Sequence, residues 1–186
     1  GDHRDLHYPL RRQRQMCIRD RPKTGNALSR NEIGQIEVRG PNVFAGYWKL
    51  PEKTKAELRE NGFFITGDLG KIDEDGYIHI VGREKDLIIS GGYNIYPKEL
   101  EIFIDDQDGV LESAVIGIPH PDFGETPIAV IVSENDTALD IDKIKENFTI
   151  HVARYKHPSQ YTIVKELPRN SMGKVQKNLL RSRYSQ

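Results

Sequence analysis

The sequence holds a single cysteine, Cys17, so no disulfide can form within the chain. A lone thiol fits a reducing compartment and places the expected location in the cytoplasm. Six histidines are scattered, and none pairs with a cysteine or an acid at metal-ligand spacing, which argues against a zinc site. No apolar run approaches the length of a membrane span. No internal repeat is visible. Charge of one sign is also lacking overall, with a formal net charge of −1. What remains is the composition of a soluble globular protein. Its 186 residues suit one ordinary domain, or a small domain with a piece of another.

The charge is nonetheless unevenly spread. Residues 1–21 carry six arginines against three aspartates, and the rest of the chain is net acidic. Such a basic arm is one signature of nucleic-acid contact. Residues 1–21 show neither a helical nor a strand period, and lack the apolar run of a signal peptide. They read as a disordered or non-native leader.

Beyond the leader the pattern becomes regular. Pro22, Gly25, Asn31 and Gly34 punctuate a turn-rich entry. Ile36–Arg39 alternates as a strand does, and Pro51 opens a short helix to about Arg59. Leu69–Ile72 and Tyr77–Val81 read as strands joined through Asp75-Gly76, a pair that favours a tight hairpin. A second short hairpin crosses Gly91-Gly92, between Leu87–Ser90 and Asn94–Ile95. Pro97 starts a helix with Leu100, Phe103 and Ile104 on one face. Ser113–Ile118 and Ile128–Val132 are apolar enough for buried strands. Asp140 is placed to cap a helix whose inner side is Ile141, Ile144, Phe148 and Val152. Tyr161–Leu167 follows as a strand, then the loop Pro168–Lys174 and a final basic helix. Residues 32–82 thus read as a small all-β piece, and the mixed order that follows predicts an α+β domain at about residues 84–186.

Three polar residues stand out at element edges. Asp68 lies in Thr66-Gly67-Asp68, just ahead of the first hairpin strand. Arg83 follows the second strand, and Lys174 sits in the glycine-flanked loop Asn170–Lys174. A carboxylate can accept both hydroxyls of a ribose, and an arginine fork can hold ribose or phosphate oxygens. A lysine on a flexible loop can bring a point charge to a phosphate. Taken singly, each is an ordinary turn, strand-end or loop residue.

Longer stretches give these residues weight. Gly46–Thr54, Gly62–Gly70, Gly82–Ile88 with Tyr96–Glu101, and Pro168–Val175 resemble four signatures of the adenylate-forming acyl-CoA synthetases. They occur in that family's order and spacing, and the resemblance runs from about residue 22 to 184. Pro41–Phe44, Ile65–Asp68 and Met172–Asn178 resemble the malonyl-CoA synthetase branch most. The resemblance implies an ATP-dependent acid–CoA ligase of α+β fold, with residues 22–82 a partial β-barrel ending the large AMP-binding domain and 84–186 the complete small C-terminal α+β domain. A carboxylate, malonate or a close relative such as methylmalonate, would be activated as acyl-AMP and transferred to coenzyme A. It implies that Asp68 and Arg83 hold the ribose. Lys174 would bridge the substrate carboxylate and the α-phosphate, and Lys85 would be the hinge of a domain swing. Ser90, Gly91 and Gly92 would line the pantetheine tunnel. Lys177, one turn on from Lys174 in a basic helix, is expected to tolerate alanine.

The family's glycine-rich phosphate loop and its Tyr-Gly-x-Thr-Glu adenine and magnesium motif do not occur in these residues. The expectation is therefore a C-terminal portion that does not adenylate by itself, with Mg2+ bound through the missing part. The acyl pocket belongs there too, so a ligase for another short, medium-chain or aryl acid stays open. The reading from another class is a non-catalytic binding module whose basic leader touches nucleic acid. An intact Lys174 loop argues against it.

Overall fold

A computed structural model describes residues 15–19, 26–134 and 138–185. The chain divides into two compact units, with the boundary between Glu84 and Lys85.

The first unit is an open antiparallel sheet of four strands in the order β1-β2-β3-β4. The strands are β1 (Gln15–Arg19), β2 (Gly34–Arg39), β3 (Phe64–Ile72) and β4 (Ile78–Arg83). It is not closed into a barrel. Helix α1 (Pro51–Glu57) interrupts the run between β2 and β3, with proline in its first turn. Ile18, Ile36, Phe63 and Leu69 form the buried apolar set. Gly70 permits close packing, because a Cβ there would lie 2.7 Å from the His79 carbonyl and 2.8 Å from Ile36 Cδ1.

Residues 15–19, which fall within the leader expected over residues 1–21, form a strand. They pair in register with β2, Ile18 opposite Ile36, and Ile18 is only 2% exposed. An edge strand needs backbone pairing more than a side-chain period, so a five-residue stretch between charged residues gives little pattern to read. Residues 1–14 and 20–21 of the expected leader lie outside the described residues.

The second unit is a mixed sheet between helices. Its strands are β5 (Ile88–Ser90), β6 (Tyr93–Ile95), β7 (Val110–His120), β8 (Gly124–Ser133) and β9 (Gln160–Val164). β8 pairs antiparallel with β7 and parallel with β9, and its start meets β5 at Gly124 and Ser90. Helices α2 (Pro97–Asp105), α3 (Ile141–His151) and α4 (Lys177–Tyr184) complete the unit. Strand alternation sorts the central residues into two cores. Val115, Ala129 and Ile131 pack with Leu100 and Ile104 of α2 and with Ile144 and Phe148 of α3. Ala114, Ile116, Ile128, Val130 and Val132 pack with Leu167 and Leu180. Both faces of β7 and β8 are thus covered, so their sequences read as continuous apolar runs. Asp140 caps α3 by accepting the Lys143 amide at 2.9 Å.

Candidate active site

In the first unit the adjacent strands β3 and β4 bring Asp68 and Arg83 together as register partners. Asp68 lies inside β3, not ahead of it as its sequence context predicts. The reason is that β3 extends back to Phe64, through Gly67 at a φ of +74°. Arg83 Nε stands 2.9 Å from Asp68 Oδ1, and Arg83 Nη1 donates to the Thr66 carbonyl at 2.9 Å. Thr66 Oγ1 accepts the Asp68 amide at 3.0 Å and donates to the Ile36 carbonyl at 2.9 Å. Thr66 therefore ties the pair to β2. Sequence reasoning did not single out its role, although it adjoins the Gly-Asp pair. Arg83 is half exposed and Asp68 about a quarter exposed, so the carboxylate is oriented yet open to a ligand.

Lys85 is exposed, in a 3-10 turn over Glu84–Asp86 at the start of the second unit. Ser90, Gly91 and Gly92 form the end of β5 and the turn into β6. Gly91 and Gly92 have φ of +56° and +83°, and no atom lies within 4 Å of a Cβ built on Gly92. The left-handed backbone favours glycine at both positions. The Gly91 amide donates to the Phe123 carbonyl at 2.9 Å, which fixes the turn against the loop before β8.

Lys174 is carried by a strapped loop. The Asn170 Oδ1 accepts the amides of Met172 and Lys174 at 3.0 and 2.9 Å, and the Asn170 amide donates to the Lys174 carbonyl at 2.9 Å. Arg169 bridges to Val175, donates to the Gly173 carbonyl at 2.6 Å and pairs with Glu112. The side chain of Lys174 is exposed, and among the described residues no ion pair engages it. Asn170 was missed as a positioning residue; an asparagine ahead of a glycine turn was its signal.

Lys177, expected to tolerate alanine, is tied into the fold by a buried ion pair. Its ammonium lies 2.5 Å from Glu101 Oε1, and the two side chains are 17% and 8% exposed. Glu101 Oε1 also accepts the Val115 amide at 3.0 Å. The helix buries this lysine because its next turn inserts Leu180 into the core. Nearby, burial holds the Asp105 carboxyl above the usual carboxylate range, partly offset by its 2.6 Å hydrogen bond from Ser113.

Among the described residues no group of His, Cys, Asp and Glu is arranged to hold a metal ion. No helix among them is long and apolar enough to cross a membrane.

The oriented acid–arginine pair and the loop-borne free lysine lie in a chain that has known relatives. Residues 99–174 match the AMP-binding enzyme C-terminal domain. The known relatives that this chain resembles are acyl-CoA ligases of the adenylate-forming superfamily. The chain is similar to a putative acyl–CoA ligase, YdaB, of Bacillus subtilis, 45% identical over 87% of this chain and 32% of the relative. A long-chain-fatty-acid–CoA ligase of the same organism is 40% identical over 82% of this chain and 27% of the relative. The crystal structure of ATP-bound MatB from Rhodopseudomonas palustris superimposes with a TM-score of 0.87 at 54% identity, covering 93% of this chain and 34% of that one. The chain thus spans about a third of the length of these relatives.

Proposed function

We propose that this chain is the C-terminal portion of an ATP-dependent acid–CoA ligase acting on malonate or methylmalonate. The observation that carries the ligase reading is Lys174: a cation with its backbone strapped and its ammonium free. MatB is a malonyl-CoA synthetase, and its 54% identity supports the dicarboxylate. The long-chain ligase at 40% identity supports only the broader class.

In the first step a carboxylate oxygen of the acid bonds to the α-phosphorus of ATP, and the bond to the β-phosphate bridge breaks to release pyrophosphate. Asp68 would accept the ribose hydroxyls while Arg83 holds the carboxylate in place and supports the ribose. Lys174 would neutralise the charge that gathers between acid and phosphate. In the second step the sulfur of coenzyme A bonds to the acyl carbon and AMP leaves with the acyl–oxygen electron pair. The thiol arm would pass the Ser90–Gly92 turn, where a Cβ built on Gly92 would meet nothing within 4 Å. The two units would change orientation at Lys85 between steps. Mg2+ would shield the phosphates and be held outside the residues described here. On this reading the expected location is the cytoplasm, in keeping with the single cysteine.

The test is CoA-dependent AMP formation by the longest natural chain carrying this sequence, offered malonate, methylmalonate, a long-chain acid and an aryl acid. We expect malonate or methylmalonate to give the highest kcat/KM. Preference for the long-chain or aryl acid would overturn the substrate, and no AMP with any acid would overturn the ligase reading.

A further inference from the structure

We infer that Gln35 and Arg181 are positioning residues that confine the change of orientation to the single residue Lys85. The inference rests on the reading above in which Lys85 is the pivot. Of the three consecutive residues of one 3-10 turn, the two outer ones are held by partners in different units. The carboxylate of Glu84 accepts the Gln35 side-chain amide at 2.8 Å, and Gln35 is itself buried within β2 of the first unit. The carboxylate of Asp86 accepts Arg181 Nη2 at 2.9 Å, with both side chains mostly buried. Arg181 follows Leu180, which is buried in the core of the second unit. Lys85, between these two clamped acids, is exposed, and no ion pair among the described residues engages it.

Hinges work by letting a few residues absorb a large φ/ψ change while their neighbours stay fixed. Here the residue before the pivot is tied to a sheet strand and the residue after it to a packed helix. The torsions left free to vary are those of Lys85. Without the clamps the same change would spread over Glu84–Asp86. The two end states would then broaden into many orientations, and a site assembled by rotation loses precision when its pivot is loose. A short turn with no buried residue would otherwise have little to hold it. The two clamping hydrogen bonds, Gln35 to Glu84 and Arg181 to Asp86, themselves involve none of Asp68, Lys174 and the Ser90–Gly92 turn. Their effect is therefore on positioning and not on contact with substrate.

The test reads the distance between the units directly. Spin labels are placed at Glu60→Cys and Glu146→Cys in a Cys17→Ser background of the full chain, and the distance distribution is measured by pulsed electron resonance. Gln35→Met keeps the buried volume but removes the donor. Asp86→Arg breaks the second clamp, and adding Arg181→Asp restores it with the charges exchanged. We expect each single change to broaden the distribution at least twofold and the exchanged pair to return it to the parent width. Lys85→Pro, which fixes φ, should shift the distribution without broadening it. If Lys85→Pro shifts it but neither clamp variant broadens it, the clamp inference is overturned and the pivot stands. Should Lys85→Pro leave it unmoved, the pivot reading fails first and the clamps with it. An exchanged pair as broad as Asp86→Arg alone would also overturn the Arg181 clamp, since side-chain disruption and not lost pairing would then explain the single variant.

Discussion

The two units present their candidate nucleotide contacts in opposite ways. In the first, the side chain of Asp68 is held: Arg83 grips it at 2.9 Å and Thr66 fixes its amide. In the second, it is the backbone of Lys174 that is held, by Asn170, while its ammonium stays free. The difference suits the chemistry proposed for each contact. A carboxylate that accepts two neighbouring hydroxyls gains from being oriented in advance, because hydrogen bonds weaken steeply with angle. A point charge that meets phosphate oxygens gains more from reach than from direction, and lysine has three rotatable donors on a flexible stem.

Substitution of Lys174 should produce the largest effect. In the complete ligase, Lys174→Ala should slow acyl-AMP formation by about 3–4 kcal/mol, roughly 10²–10³-fold. Thioester formation from supplied acyl-AMP should be nearly unchanged, and so should the urea midpoint. Measuring both half-reactions checks this, and equal losses in both would show that the lysine acts through structure. Three residues on, Lys177→Ala should do the reverse. It leaves Glu101 buried beside the core without its cation, at a cost of about 3 kcal/mol in unfolding free energy. The exposed Arg183→Ala should stay within about 0.5 kcal/mol of the parent. Urea unfolding of the second unit would reveal a stable Lys177→Ala, and with it a failure of the buried-pair account.

Asp68→Ala tests the held side of the comparison. Loss of charge-assisted hydrogen bonds should weaken AMP binding by about 1.5–3 kcal/mol, while stability changes by no more than about 1 kcal/mol, as for exposed ion pairs. Arg83→Lys keeps the charge but not the fork, so it should lie between parent and Asp68→Ala in AMP titration calorimetry. If Arg83→Lys matches the parent, orientation by the fork is not what the pair supplies. The smallest effect concerns Asp105. Burial raises its carboxyl above the usual range, so the folded chain keeps the proton longer than the unfolded chain. Stability contributed by this group is therefore lost as pH rises through the raised value. Asp105→Asn keeps the acceptor for Ser113 and carries no charge, so it should raise the urea midpoint slightly near pH 7. Below the ordinary carboxylate range the gain should vanish, and a variant less stable than the parent at neutral pH would contradict it.

Much of this protein was set by local pattern. Pro51 and Pro97 start their helices, Asp140 caps α3, and the Gly91-Gly92 turn joins β5 to β6, because each depends on the preferences of a few adjacent residues. The identity of Asp68, Arg83 and Lys174 as candidates was legible in the same way, from motif and spacing. Other facts required residues far apart in the chain to meet. Ile18 acquires a strand only by pairing with Ile36, and Glu101 and Lys177 acquire burial only when α2 and α4 settle on the second sheet. Gln35 meets Glu84 across 49 residues, and Arg181 meets Asp86 across 95. A charged residue looks solvated in sequence because its desolvation and its partner are set by distant chain. The sequence alone therefore determined which residues could do chemistry, while tertiary structure decided which charges are free to do it and which are spent holding the fold.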